Sequence, residues 1–329
     1  TAPEAEDAVR NLILYLTQAG DVEAAFEEAR LQIRHLREQS DRDPAAIAGD
    51  LSTFGSSLND EGLWPAAEMS FDEALHLFEQ MIEPDPDHHV DALVDLCFAL
   101  AAQGKIEEAN QRLAQAEKLV IAAHGEGSLE HAEHVLYFIG RRYAQSDRGR
   151  AAVPIFRRVI ELCDALGDEG HWRRQVAELR LAKELALSGQ TAEAKQLARS
   201  QVEYWTAERG EISWTTGVAK EIIGLVHLRE GNIDSAENSL REAGHAMQLS
   251  LEERNYPAGF AETRAALAEC LTRQGQFAEA ESLLLDARDL VSEFGKDHPR
   301  ARRMVLERLV SLYEAWGKPA EAGRWRDTV

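Results

Sequence analysis

The sequence predicts an all-α solenoid of about eight stacked helix-turn-helix hairpins. Three observations carry this reading. First, one junction recurs at Gly20, Gly62, Gly104, Asp147, Gly189, Gly231, Gly275 and Gly317, at spacings of 42, 42, 43, 42, 42, 44 and 42 residues. A fixed period in this range marks a repeat array. Second, the residue five after each junction is alanine in all eight copies: Ala25, Ala67, Ala109, Ala152, Ala194, Ala236, Ala280 and Ala322. Third, large apolar residues hold two positions before each junction. Eight before stand Leu12, Phe54, Leu96, Ile139, Leu181, Ile223, Leu267 and Leu309. Four before stand Leu16, Leu58, Leu100, Tyr143, Leu185, His227, Leu271 and Tyr313, where only His227 breaks the rule.

The clearest hairpin is Glu262 to Leu290. Leu267, Ala268 and Leu271 precede Gly275 at helical spacing, and Ala280, Leu284 and Ala287 follow it at helical spacing. Gly275 suits the left-handed exit that ends a helix without a Cβ penalty. Seven before the junction the residue is often small (Gly55, Cys97, Gly140, Ala182, Gly224, Ala268), which lets paired helices approach closely.

Taken in order, the hairpins span about 1–40, 44–82, 88–123, 130–166, 171–208, 214–253, 257–293 and 298–329, expected to form one elongated domain over 1–329. The first pairs Asp7–Ala19 with Asp21–Gln39. Ser40 to Pro44 is a turn, with Asp43 an N-cap before Pro44 at the first helical position. The second carries Trp64-Pro65 after its glycine. Glu83 to His89 is the most polar linker. Its Asp85, Asp87 and Asp91 suggest a calcium loop only superficially, because the required glycine is missing. The third hairpin ends at a joint, His124 to Ser128. There Gly125-Glu126-Gly127 lacks the strand and third glycine of a nucleotide fingerprint. In the fourth, His131 and His134 are three apart, too few ligands for a metal site, and the turn is Asp147-Arg148-Gly149. Glu208 to Trp214 joins the fifth and sixth, and Asn255-Tyr256-Pro257 precedes the seventh. The eighth has a short second helix with Arg324, Arg326 and Asp327, as befits an end repeat that meets water.

This order of large apolar residue, small residue, Leu or Tyr, Gly and then Ala resembles the tetratricopeptide repeat, whose usual period is about 34 residues. The longer period is similar to the variant of kinesin light chains and many bacterial proteins, as is the linker Gly295-Lys296-Asp297-His298-Pro299-Arg300. The run Leu309 to Arg326 resembles the end of repeat regions that follow bacterial eukaryotic-like Ser/Thr kinase domains. The resemblance implies a right-handed superhelix that binds partners along a concave groove lined by the first helix of each hairpin.

Composition bounds the function. There are 36 Lys and Arg against 58 Asp and Glu, a formal net charge of −22. Such a charge opposes generic nucleic-acid and anionic-membrane binding. The three cysteines, Cys97, Cys163 and Cys270, fall in three different repeats with no CxxC, so they read as small buried apolar residues. No signal peptide and no membrane-spanning run occurs. The chain starts at Thr1 without Met, as an excised or processed region would, and a cytoplasmic location is expected. Walker, HExxH, GxSxG and kinase motifs are absent, and Asp41-Arg42-Asp43 lacks the His and the downstream Asn of a catalytic loop. No enzyme activity, cofactor or metal is expected.

The resemblance implies that groove side chains lie 13, 10, 9, 6, 3 and 2 residues before each junction. Successive repeats then offer Arg10, Asn11 and Leu14; Ser52, Thr53, Ser56 and Asn59; Asp95 and Phe98; Tyr137, Phe138 and Arg141; and Leu179, Arg180 and Lys183. Glu221, Ile222 and Leu225 follow, then Glu262 and Glu269, then Glu307, Arg308 and Ser311. Phe98, Tyr137, Phe138, Arg141, Arg180 and Lys183 form the expected peptide site. Aromatic surface beside a positive field suits a peptide or protein segment with an apolar anchor and acidic flanks. The alternative for the aromatics is packing between repeats, and for the cations, pairing with nearby carboxylates. The expected function is a non-enzymatic interaction scaffold. The competing reading is the sensory or recruiting region of a larger bacterial signalling protein such as a Ser/Thr kinase. The end repeats leave faces for water or for self-association with another copy.

Overall fold

The structure, a computed structural model, describes residues 2–39, 42–82, 85–133, 140–145, 149–250, 257–294 and 299–326. The described residues are helical throughout, with short turns and no strand. Six hairpins have both long helices. They are α1 (Ala2–Gln18) with α2 (Val22–Arg37), α3 (Pro44–Asp60) with α4 (Trp64–Gln80), α5 (Pro86–Ala102) with α6 (Ile106–His124), α10 (His171–Leu187) with α11 (Thr191–Arg209), α12 (Trp214–Arg229) with α13 (Ile233–Gln248), and α14 (Pro257–Arg273) with α15 (Phe277–Phe294). In the fourth hairpin, α7 (Leu129–Glu133) and α8 (Arg141–Gln145) precede α9 (Gly149–Leu166). The eighth pairs α16 (Pro299–Ala315) with the short α17 (Pro319–Arg326). His134, the Asp147 turn and linker residues 295–298 lie outside the described residues.

Helix starts follow local chemistry. The Asp43 carboxylate accepts from Ala45 N–H at 3.1 Å, with Pro44 in the first turn where no N–H is needed. Asp21, Asp85 and Ser213 cap α2, α5 and α12 in the same way. Asp85 therefore has a structural task within the polar linker.

Each described junction closes identically. At Gly275 the φ is +77°, a left-handed value that glycine adopts at no steric cost. Gly275 N–H donates to Thr272 C=O at 3.1 Å, and Gln276 N–H donates to Leu271 C=O at 2.8 Å. That is the Schellman pair, which satisfies two carbonyls at the helix end. The same pair recurs at Gly20, Gly62, Gly104, Gly189, Gly231 and Gly317. The apolar residue four before each junction is thus also the acceptor that closes the turn. His227 serves equally, because only its backbone takes part.

The alanine five after each junction is 0% exposed in all eight repeats. The small residue seven before the junction faces the second helix. A Cβ on Gly55 would lie 2.8 Å from the Phe71 ring, one on Gly140 2.5 Å from Phe156, and one on Gly224 2.6 Å from Leu240. These three large partners all sit nine residues after their junction. Glycine is present where the facing side chain has taken the space.

The chain divides into two compact units, Thr1–Ile139 and Gly140–Val329. In the first, α3 packs on α4 and α5, and α5 on α6. In the second, α10 packs on α12, α12 on α14 and α14 on α16, while α16 also reaches α8. The first helices of the second unit thus pack in series, and α16 meets α8. Outer ion pairs such as Arg157–Glu193 at 2.8 Å and Lys195–Glu230 at 3.0 Å link neighbouring repeats. They are partly exposed and contribute little each.

Candidate functional site

The first-helix faces are polar, and each unit uses that polarity differently. In the first unit, Ser52 and Thr53 hydroxyls donate back to Ala48 and Gly49 carbonyls on their own helix. Ser56 Oγ donates to Asp95 Oδ2 at 2.7 Å, and Asn59 Nδ2 donates to Asp95 C=O at 3.1 Å. These bonds tie α3 to α5. Asn59 is 5% exposed, yet its Oδ1 has no hydrogen-bond partner. A buried acceptor left unmet costs about 1–3 kcal/mol. Phe98 is half-buried on α5, one turn beyond Asp95. Tyr137 and Phe138 lie outside the described residues.

In the second unit, Arg141 is exposed on α8, and Arg180 on α10 is half-buried and engaged by neighbouring groups. Lys183, also on α10, has its ammonium 2.9 Å from Glu221 Oε2 on α12 and 2.7 Å from Glu262 Oε2 on α14. The other Glu262 oxygen accepts from Arg300 Nε at 3.4 Å, and Arg300 Nη1 donates to Glu184 Oε1 at 2.7 Å. The sequence Glu221, Lys183, Glu262, Arg300, Glu184 is an unbroken alternation of charge across four first helices. The carboxylates are nearly inaccessible: Glu184 is 3% exposed, Glu221 1% and Glu262 8%.

Burial alone would lower the pKa of the Lys183 ammonium, but the charges of Glu221 and Glu262 outweigh it and hold it above its ordinary value. Arg300 behaves the same way with Glu262 and Glu184. Glu221 is pushed up by burial, against the pull of Lys183 and with a further push from Glu262. The imbalance has a simple origin: three carboxylates face two cations, and Glu221 is the most deeply buried of the three.

Sequence reasoning placed Lys183, Glu221 and Glu262 on this face but missed Glu184 and Arg300. Arg300 was read as linker. The signal was Pro299, which starts α16 and puts Arg300 on its first turn. A second charged contact joins Arg308 of α16 to Glu269 of α14 at 3.0 Å.

Other sequence candidates resolve as structure. His131 is 0% exposed; Gly127 N–H donates to its Nδ1 at 3.4 Å and its Nε2 pairs with Glu117 Oε1 at 3.1 Å. The three cysteines are free and buried. Among the described residues, no group of three or more His, Cys, Asp or Glu is placed to hold a metal, and no helix is long and apolar enough to cross a membrane.

Two stretches, residues 66–119 and 260–300, match family profiles described as tetratricopeptide repeat. Neither reaches Leu309 to Arg326, so they leave its kinase-associated likeness untouched. Among solved structures, NprR in complex with its cognate peptide NprX is similar over 98% of this chain and 86% of that one, at 14% identity and TM-score 0.57. A Rap protein complexed with Competence and Sporulation Factor is similar over 99% and 96%, at 12% identity and TM-score 0.50. BtubC from P. vanneervenii is similar over 85% and 94%, at 18% identity and TM-score 0.40. At these identities the likeness is one of fold. No curated protein sequence matches the chain.

Proposed function

We propose that this array of tetratricopeptide repeats is a non-catalytic scaffold whose first-helix faces bind a peptide or protein segment with an apolar anchor and acidic flanks. The observation that carries the reading is the half-buried Phe98 beside the Ser56, Asn59 and Asp95 hydrogen bonds that join two first helices. Phe98 lies one turn from the Asp95 that Asn59 grips. A half-buried aromatic beside polar side chains is what an apolar side chain of a peptide would cover. In the second unit Lys183 already holds carboxylates, those of its own chain. A face that accommodates carboxylates internally has the chemistry to receive them from outside. NprR in complex with its cognate peptide NprX and a Rap protein complexed with Competence and Sporulation Factor are similar to this chain in fold.

The proposed contacts are, in the first unit, Phe98, Tyr137 and Phe138 for apolar side chains and, in the second unit, Arg141, Arg180 and Lys183 for acidic ones, each unit taken by itself. Selection of binders from a random peptide library tests this. Recovered peptides are expected to carry an apolar residue flanked by Asp or Glu. Asn59→Ala/Phe98→Ala and Arg141→Glu/Arg180→Glu are each expected to weaken them at least about tenfold, or 1.4 kcal/mol. Binders that both variants retain at full affinity would place the site elsewhere.

A further inference from the structure

The interior of the second unit is occupied by its own side chains, and one contact there is unlike the rest. Most inter-repeat pairs join residues about one period apart, as Lys183 joins Glu221 or Arg308 joins Glu269, and Lys183 to Glu262 spans two periods. Arg300 and Glu184 are 116 residues apart. Their bond ties the first helix of the eighth repeat to that of the fifth, and α16 also touches α8.

A buried ion pair is a poor way to add stability, because desolvating both charges offsets most of their attraction. It is a good way to make a contact exchangeable. A carboxylate arriving from outside leaves Arg300 still paired and still holding Glu262. The displaced Glu184 passes to water, and the charge count of the cluster is unchanged, so the exchange is even. A hydrophobic closure would offer a ligand no such equal exchange. The guanidinium fork favours this over an ammonium, since it presents several N–H groups to a carboxylate in fixed geometry.

We propose that Glu184–Arg300 is an internal clasp over a carboxylate-binding subsite, and that an Asp or Glu side chain of the ligand replaces Glu184 on Arg300, releasing α16 from α10. Arg300 then reads acidic character in the second unit together with Arg141, Arg180 and Lys183. The ligand half of the inference rests on the acidic segment proposed above; the clasp itself does not.

The test uses the full chain with nitroxide labels at Ser200→Cys and Arg302→Cys, both exposed positions. Distances between them are measured by pulsed electron resonance in the wild-type background and in Glu184→Gln. The probe is a short peptide of glutamates around one central phenylalanine. Without peptide, Glu184→Gln is expected to shift the distances outward, because Arg300 loses the partner that reaches the fifth repeat. The peptide is expected to produce the same shift in wild type, and to bind Glu184→Gln about tenfold more tightly, within the ordinary range of coupling between sites. Adding Arg300→Met is expected to cancel that gain.

Unchanged distances in Glu184→Gln would overturn the clasp, whatever the peptide does. An outward shift with no gain in affinity would overturn the exchange at Arg300, even where Arg141→Glu/Arg180→Glu still weakens binding. Should Glu184→Gln not fold, Glu184→Asp keeps the charge on a shorter arm and is expected to shift the distances in the same direction. Its failure to do so counts equally against the clasp.

Discussion

Cys97 shows how much one side chain can be asked to do by its position. It holds the small site seven before Gly104, and its Sγ donates to Ala109 C=O at 3.2 Å. Burial pushes its thiol up to about 12, and those of Cys163 and Cys270 to about 11. Because the thiolate is the reactive form, no more than about one in a thousand of these groups is reactive at pH 8. Iodoacetamide at that pH is therefore expected to leave the folded chain unlabelled and to modify all three cysteines in denaturant, as read by mass spectrometry; rapid labelling of the native chain would contradict this. The burial was legible in the sequence, since each cysteine fell within an apolar helical pattern. The partners of Lys183 were only half legible. Glu221 and Glu262 were placed on the same face, but whether one ammonium touches both depends on how tightly successive repeats curve. No single repeat encodes that.

At the scale of the hairpin, the sequence carried nearly all of the answer. The junction glycines and the buried alanines sit at fixed offsets because one turn geometry and one helix-helix distance are used repeatedly. What the pattern did not say was why position seven before the junction is Gly in some repeats and Cys97, Ala182, Ala268, Ile13 or Val310 in others. The explanation lies nine residues past the junction, where Phe71, Phe156 and Leu240 fill the space that a Cβ on the matching glycine would need. Two glycines give opposite expectations for the same substitution. Gly275→Ala forces a Cβ into a φ of +77° and is expected to cost about 1–2 kcal/mol. Gly244 lies within α13, where an added Cβ would meet nothing within 4 Å, so Gly244→Ala is expected to add about 0.5–1 kcal/mol. Urea midpoints of the two variants decide it, and shifts of the same sign would contradict the turn assignment.

At the scale of the molecule, the charge cluster of the second unit governs behaviour with pH. Burial holds the folded Glu221 carboxyl above its ordinary 4.5, so between that value and the folded one folding takes up a proton. Wild-type stability therefore falls as pH rises through that window. Glu221→Gln removes the slope, so the stability difference is expected to drift in the variant's favour as pH is raised from about 4.5 towards neutrality. Denaturant midpoints at several pH values measure the drift, and a drift towards wild type would refute the assignment. The two compact units and the closure of α16 on α8 were not legible in a sequence that repeats almost evenly from end to end. Even spacing predicts like neighbours; it is silent about which distant repeats meet.

That closure changes how the second unit comes apart. In an open array each repeat leans only on its neighbours, so ends fray and unfolding proceeds in pieces. Here the last full helix is tied by Arg300 to a residue 116 positions earlier. Fraying of α16 strips Glu184 of its counter-charge deep inside the fifth repeat, and the loss is felt where no neighbour has moved. Helix α16 thus acts as a keystone, and α8 to α17 are expected to melt as one cooperative block, a globular habit imposed on a linear design.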